Sequence, residues 1–186
     1  MLFSSPCRTA AFLAGAASLL TCAAATSAHS HRHSPASHPV SSPQVQAQNH
    51  ALASGNAVQA AYAFRGTRYV MGGTSRSGFD CSGFVRYILS ATDGVALPRT
   101  ATEQYYHGTP VAPAQLEPGD LVFFKNTYKR GISHVGIYAG GGKFIHAANA
   151  HKGVRMDLLG SSYYQAHFAG ARRVLPAQMR MAASGL

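Results

Sequence analysis

The chain has no tryptophan, three cysteines and only 6 acidic residues among its 186. Three cysteines close at most one disulfide, which excludes a disulfide-stapled secreted module and a cysteine-rich zinc domain. The scarcity of acids against 16 Lys and Arg gives a formal net charge of +10 and a pI near 10.0, so polyanions are attracted. Yet charged residues make up only 12% of the chain and apolar ones 46%. That balance describes a folded core and excludes a basic tail as the whole protein. Long apolar runs are also missing: the longest, Ala10 to Leu20, is too short to span a bilayer comfortably.

That run belongs to residues 1–28, which read as an export signal: Arg8 supplies the positive flank and the small residues Ala23 to Ala28 offer cleavage sites. Leu19-Leu20-Thr21-Cys22 also resembles a lipoprotein box in which Cys22 is lipidated. The A-x-A-like Ala23-Ala24-Ala25 favours ordinary cleavage and a soluble product in the periplasm or cell envelope. Residues 29–54 are rich in Ser, Pro, His, Ala and Gln and are expected to be a disordered linker. His29, His31, His33 and His38 lack acidic or thiol co-ligands, so no metal site is expected there.

Large apolar residues persist from Val58 to Leu175, enough for one core, and no internal repeat interrupts them. Residues 55–175 are therefore expected to form the single folded domain, with 176–186 as a tail. Helices are expected over Ala57–Phe64, Cys81–Ser90 and Thr100–Tyr106. After the turn Glu117-Pro118-Gly119-Asp120, strands are expected over Leu121–Lys125, His134–Ala139, Lys143–Ala148, Val154–Leu158 and Ala169–Leu175. Helices followed by an antiparallel meander predict an α+β domain with helices on one side of a sheet.

With Cys7 and Cys22 assigned to the signal, Cys81 is the only thiol of the fold. It opens an apolar helix, where free backbone N–H groups and the helix dipole stabilise a negative sulfur, so a lowered thiol pKa is expected. A small buried hydrophobe is the plain alternative for such a cysteine. A thiolate nucleophile needs a base, and the base needs an orienting partner. If the hairpin at Gly140-Gly141-Gly142 is symmetric about Gly141, residue 134 pairs with 148 and 136 with 146. His134 and His146 then become diagonal neighbours on one face; a one-residue slip would separate them. Taken alone, two strand histidines also suit a half-exposed sheet surface.

Six strings, in order, resemble the NlpC-type bacterial cell-wall peptidases. They are Gly66-Thr67-Arg68-Tyr69-Val70-Met71-Gly72-Gly73, Asp80-Cys81-Ser82-Gly83-Phe84-Val85, Leu97-Pro98-Arg99-Thr100, Pro118-Gly119-Asp120-Leu121-Val122-Phe123-Phe124, His134-Val135-Gly136-Ile137-Tyr138 and Phe144-Ile145-His146-Ala147. The resemblance implies a papain-like α+β fold and cleavage of amide bonds in peptidoglycan stem peptides or their cross-links. It assigns Cys81 as nucleophile, His134 as base and His146 as third member, without metal or organic cofactor. It also implies that Tyr69 helps hold the oxyanion, although Tyr69 equally suits packing under the helix. Asp80 and Ser82 are implied in the substrate cleft; Asp80 equally suits a helix N-cap. Arg99 contacts a substrate carboxylate or merely caps a loop. A monomer acting on stem peptides is expected, and the +7 of residues 55–175 suits an anionic wall. Nucleic acid has no visible module to support it. A papain-like amidase or acyltransferase on another substrate, and a non-catalytic wall-binding module, are the competing readings.

Overall fold

The computed structural model describes residues 42–53 and 56–174. All of them lie in the second of two units into which the chain divides, Pro39–Leu186. The export signal, Cys22, the four histidines between 29 and 38, and the tail 176–186 lie outside the described residues.

The linker expected over 29–54 needs correction, because a helix α1 spans Pro43–Ala53. Its start is written locally: Ser42 Oγ accepts the Val45 amide at 3.4 Å and Pro43 fits the first helical turn, where no N–H is needed. Ala and Gln, good helix formers, fill the body. Gln48 is buried and Asn49 Oδ1 accepts Arg76 Nη2 at 2.6 Å, so tertiary contacts hold what composition suggested was a tether.

Helix α2 spans Ala57–Ala63 and begins at Asn56, whose Oδ1 accepts the amides of Val58 and Gln59. A two-stranded hairpin, β1 Thr74–Ser75 and β2 Gly78–Phe79, leads into helix α3, Cys81–Asp93. Phe84, Val85, Ile88 and Leu89 bury the inner face of α3, and Gly94 ends it with φ +66°. Helix α4, Ala101–Tyr105, opens with a reciprocal capping box between Thr100 and Glu103.

The sheet has six antiparallel strands: β3 Thr109–Val111, β4 Leu121–Lys125, β5 Ile132–Gly140, β6 Lys143–Ala147, β7 Val154–Leu158 and β8 Phe168–Arg173, in the order β3-β8-β4-β5-β6-β7. The meander over β4 to β7 is the expected one. The last strand does not follow it: a helix α5, Ser162–His167, returns the chain so that β8 lies beside β4. The short β3 then covers the outer edge of β8. Neither β3 nor α5 is among the elements expected from the sequence pattern.

Alternation gives the sheet two different faces. Leu121, Phe123, Val135, Ile137, Ile145, Ala147 and Val154 share one apolar cluster with α2, α3 and α4. Val122, Phe124, Phe144 and Ala171 form a second cluster with Tyr138, Tyr164 and Phe168. Tyr164 of α5 packs on that face, its ring 5.0 Å from Phe124 and 4.8 Å from Phe144.

Candidate active site

The hairpin between β5 and β6 adopts the expected register, with Ile137 opposite Ile145 and Tyr138 opposite Phe144. Gly140, Gly141 and Gly142 turn the chain at positive φ, a conformation costly for other residues. Position 136 must also be glycine, since an added Cβ would lie 2.7 Å from the Phe144 ring and 3.1 Å from His146 Cβ. The room it leaves lets the two histidines meet: His134 Nε2 lies 2.6 Å from His146 Nδ1.

Behind His146 stands a carboxylate that the sequence reading did not anticipate. Asp157 Oδ2 is 3.0 Å from His146 Nε2 and accepts the Tyr164 hydroxyl at 3.1 Å, while Asp157 Oδ1 pairs with Arg155 at 2.6 Å. Asp157 faces Phe144 across β6 and β7, so it sits diagonal to His146. Strand β7 was legible, and registering it on β6 would have located this acid. Tyr164 had no comparable signal, since six-residue α5 carries no side-chain capping hydrogen bond at its start.

An ionised carboxylate only accepts, so the far end of this row fixes every proton along it. His146 Nε2–H donates to Asp157, His146 Nδ1 accepts, and His134 Nε2–H donates to it. His134 Nδ1 is left with its lone pair. Burial lowers the pKa of both histidines, His134 well below its ordinary value. The His146 positive form weighs further against protonating His134, and Asp157 opposes the shift at both rings. Burial raises the Asp157 pKa, but His146, the Tyr164 hydroxyl and Arg155 outweigh it and hold the carboxyl below its usual range. The row rests neutral on its histidines and negative at its end.

Cys81 begins α3 and is 2% exposed. Its Sγ lies 3.9 Å from the Ser133 carbonyl oxygen, and the backbone amides of Val135, Ser82 and Cys81 itself favour a negative sulfur. The sulfur is thus held against the two residues that bracket His134. The expected lowering of the thiol pKa is not found. Burial, reinforced by the charge of Asp80, outweighs those amides and pushes the thiol up to about 11.

The turn-rich segment is clamped to the start of α3. Gly73 O accepts the Asp80 amide at 3.0 Å, Asp80 Oδ2 accepts the Gly72 amide, and a side chain at Gly83 would meet Gly73 O at 2.1 Å. Asp80 is the N-cap, accepting the Gly83 amide at 2.7 Å. Both its oxygens also take the Arg99 guanidinium, and Ser82 Oγ bonds Asp80 Oδ1 and Arg99 Nη1. The three residues expected at the substrate are therefore bonded to one another. Arg99, expected either at a substrate carboxylate or as a loop cap, holds Asp80 in its fork while its side chain stays partly exposed.

Tyr69 lies close enough to Cys81 and Asp80 that burial and their negative charge raise its phenol to about 12, leaving a neutral O–H donor. Tyr128, also absent from the sequence reading, is raised by burial and the same two neighbours.

A thiol at the head of a helix, packed against an antiparallel sheet that carries two hydrogen-bonded histidines, defines a papain-like α+β protein with a cysteine-histidine site. Residues 66–173 match the NlpC/P60 family model, and the chain belongs to that family. It is similar to the gamma-DL-glutamyl hydrolase of Bacillus subtilis, 48% identical over 62% of this chain and 28% of that protein. It is also similar to the murein DD-endopeptidase MepH of Escherichia coli, 41% identical over 59% of this chain and 42% of that protein. The matching segment thus spans less than half of either relative. Among solved structures, an NlpC/P60 family protein from Bacillus cereus superposes with a TM-score of 0.62 at 37% identity, covering 67% of this chain and 41% of that one. The peptidoglycan hydrolase RipB of Mycobacterium tuberculosis superposes with a TM-score of 0.56 at 28% identity, covering 70% and 68%.

Proposed function

We propose that the chain is a peptidoglycan hydrolase, a cysteine endopeptidase that cuts amide bonds in stem peptides or their cross-links. The observation that carries this reading is the row His134–His146–Asp157, which leaves an unprotonated Nδ1 on a buried histidine flanked by the two residues against the Cys81 sulfur.

With a thiol pKa of about 11, little thiolate exists at neutral pH. Attack and proton transfer are then coupled: Cys81 Sγ bonds to the peptide carbonyl carbon while His134 Nδ1 takes the thiol proton. The Cys81 backbone N–H and the Tyr69 hydroxyl hold the oxyanion. His134 returns the proton to the departing amine, leaving a thioester on Cys81. Water, deprotonated by His134, cleaves that thioester and restores the thiol. Through His146, Asp157 keeps His134 in the tautomer that accepts on Nδ1 and stabilises the imidazolium once formed. The Asp80–Ser82–Arg99 cluster forms the polar wall beside the nucleophile. Residues 1–28 direct export, so the substrate is met in the envelope, with a soluble product preferred over lipidation at Cys22.

The reading is tested by incubating the protein with purified peptidoglycan and identifying products by mass spectrometry. Fragments with newly freed peptide amines and carboxylates are expected, and their masses give the bond cut. Intact stem peptides with cleaved glycan, or no fragments at all, would contradict it.

A further inference from the structure

A cavity of about 910 Å³ opens beside His134, and its walls are unusually basic. Four cations line it from separate elements: Arg65 after α2, Lys143 at the start of β6, Lys152 in the turn before β7, and Arg155 on β7. One acid lines it, Asp157, whose oxygens are already engaged by His146, Tyr164 and Arg155. The ion pairs among the described residues leave Arg65, Lys143 and Lys152 without a carboxylate partner. Cations gathered around one cavity raise its positive potential, and a negative occupant is attracted there.

Arg65, Lys143 and Lys152 are solvent-exposed, and two features set them apart from a scattered cationic surface. First, the presenting turn is fixed: Asn149 Oδ1 accepts the amides of His151 and Lys152, each at 3.1 Å, and Gly153 donates to Asn149 O at 2.9 Å. A side chain at Gly153 would meet Thr67 O at 2.4 Å, so the turn is docked closely on the segment before Tyr69. Second, the cavity reaches His134 and Tyr128, so an occupant of that end lies beside the candidate base.

Resting on the peptidase reading above, we propose that this cavity is a subsite for free carboxylates of the peptide being cut, recognised by Lys143, Lys152 and Arg65. Carboxylate-bearing stem peptides and γ-linked glutamyl chains share that chemistry. The second source is worth a direct comparison because a relative 48% identical over 117 residues is a gamma-DL-glutamyl hydrolase.

The test uses the full chain and three soluble probes: a stem peptide with free side carboxylates, the same peptide with those carboxylates amidated, and a γ-glutamyl oligomer. KM and kcat are measured for each with the unaltered protein, Lys143→Ala, Lys152→Ala and the double variant. A KM about 10-fold lower for an acidic probe than for the amidated peptide is expected, rising with salt. Each lysine substitution is expected to raise that KM several-fold, with a much smaller change for the amidated peptide, and Lys152→Arg is expected to restore most of the loss. Charge dependence on the stem peptide identifies the wall as the source; charge dependence confined to the γ-glutamyl oligomer identifies the polymer. Equal KM values for acidic and amidated peptides, together with a γ-glutamyl KM that neither salt nor the lysine substitutions change, would overturn the subsite while leaving the peptidase reading intact. Cleavage of none of the probes, with purified peptidoglycan also left intact, would instead sink the peptidase reading. Competition by glycerol-phosphate oligomers that is abolished by Lys152→Ala, without carboxylate preference, would reassign the cavity to phosphate polymers and overturn the proposal.

Discussion

The two faces of strand β6 are built on opposite principles. Ile145 and Ala147 point into the apolar cluster under the helices, where their side chains contribute by burying carbon. One residue away, Phe144 and His146 point to the other face, among Asp157, Tyr164 and His134. There a fully buried imidazole survives because both its nitrogens are bonded, as an unsatisfied buried polar group would cost ~1–3 kcal/mol. One face is apolar throughout, and the other sets beside the Phe144 cluster a row of polar groups whose order sets where protons sit.

The sharpest way to break that contrast is His134→Ala. It should remove about 10²- to 10⁴-fold of the rate of peptide release while the circular dichroism spectrum stays native. Retained activity would mean that another group takes the Cys81 proton. Ile145→Ala, on the opposite face of the sheet, should do the reverse. It is expected to cost about 2–5 kcal/mol in denaturant unfolding, with activity per folded molecule within a few-fold. A rate loss as large as that of His134→Ala would show that the faces are not separable.

A smaller effect is expected from Asp157→Asn, which removes the acceptor-only end of the row but keeps its shape. About 10- to 100-fold lower kcat with little change in KM is expected, because the amide no longer enforces one histidine tautomer. His146→Gln should likewise lose less than removal of the nucleophile, since a polar side chain can still orient His134.

The mildest probe is the thiol itself. With Cys81 raised to about 11, alkylation by a neutral reagent should be slow at pH 7 and climb roughly tenfold per pH unit toward pH 11, following the thiolate. A plateau already reached by pH 6 would reveal a preformed thiolate and reverse the sign assigned to burial.

Much of this was legible from local pattern. The meander and the glycine hairpin follow from alternation and turn chemistry, and with them the register that joins His134 to His146. Asp80 as helix cap followed from its place before an apolar run. What was not legible depended on contacts distant in sequence. Helix α1 reads as a polar tether until Gln48 is buried and Asn49 bonds Arg76. The bonding of Arg99 to Asp80 joins segments 19 residues apart. The thiol pKa misled for a related reason: the helix start is visible in sequence, whereas the near-complete burial of Cys81 exists only once the sheet has packed.

The most direct test is digestion of purified peptidoglycan by Cys81→Ala beside the unaltered protein, at matched concentration and after both are shown to be folded. The account predicts peptide fragments from the unaltered protein and none from the variant. Undiminished fragment release by folded Cys81→Ala would contradict it.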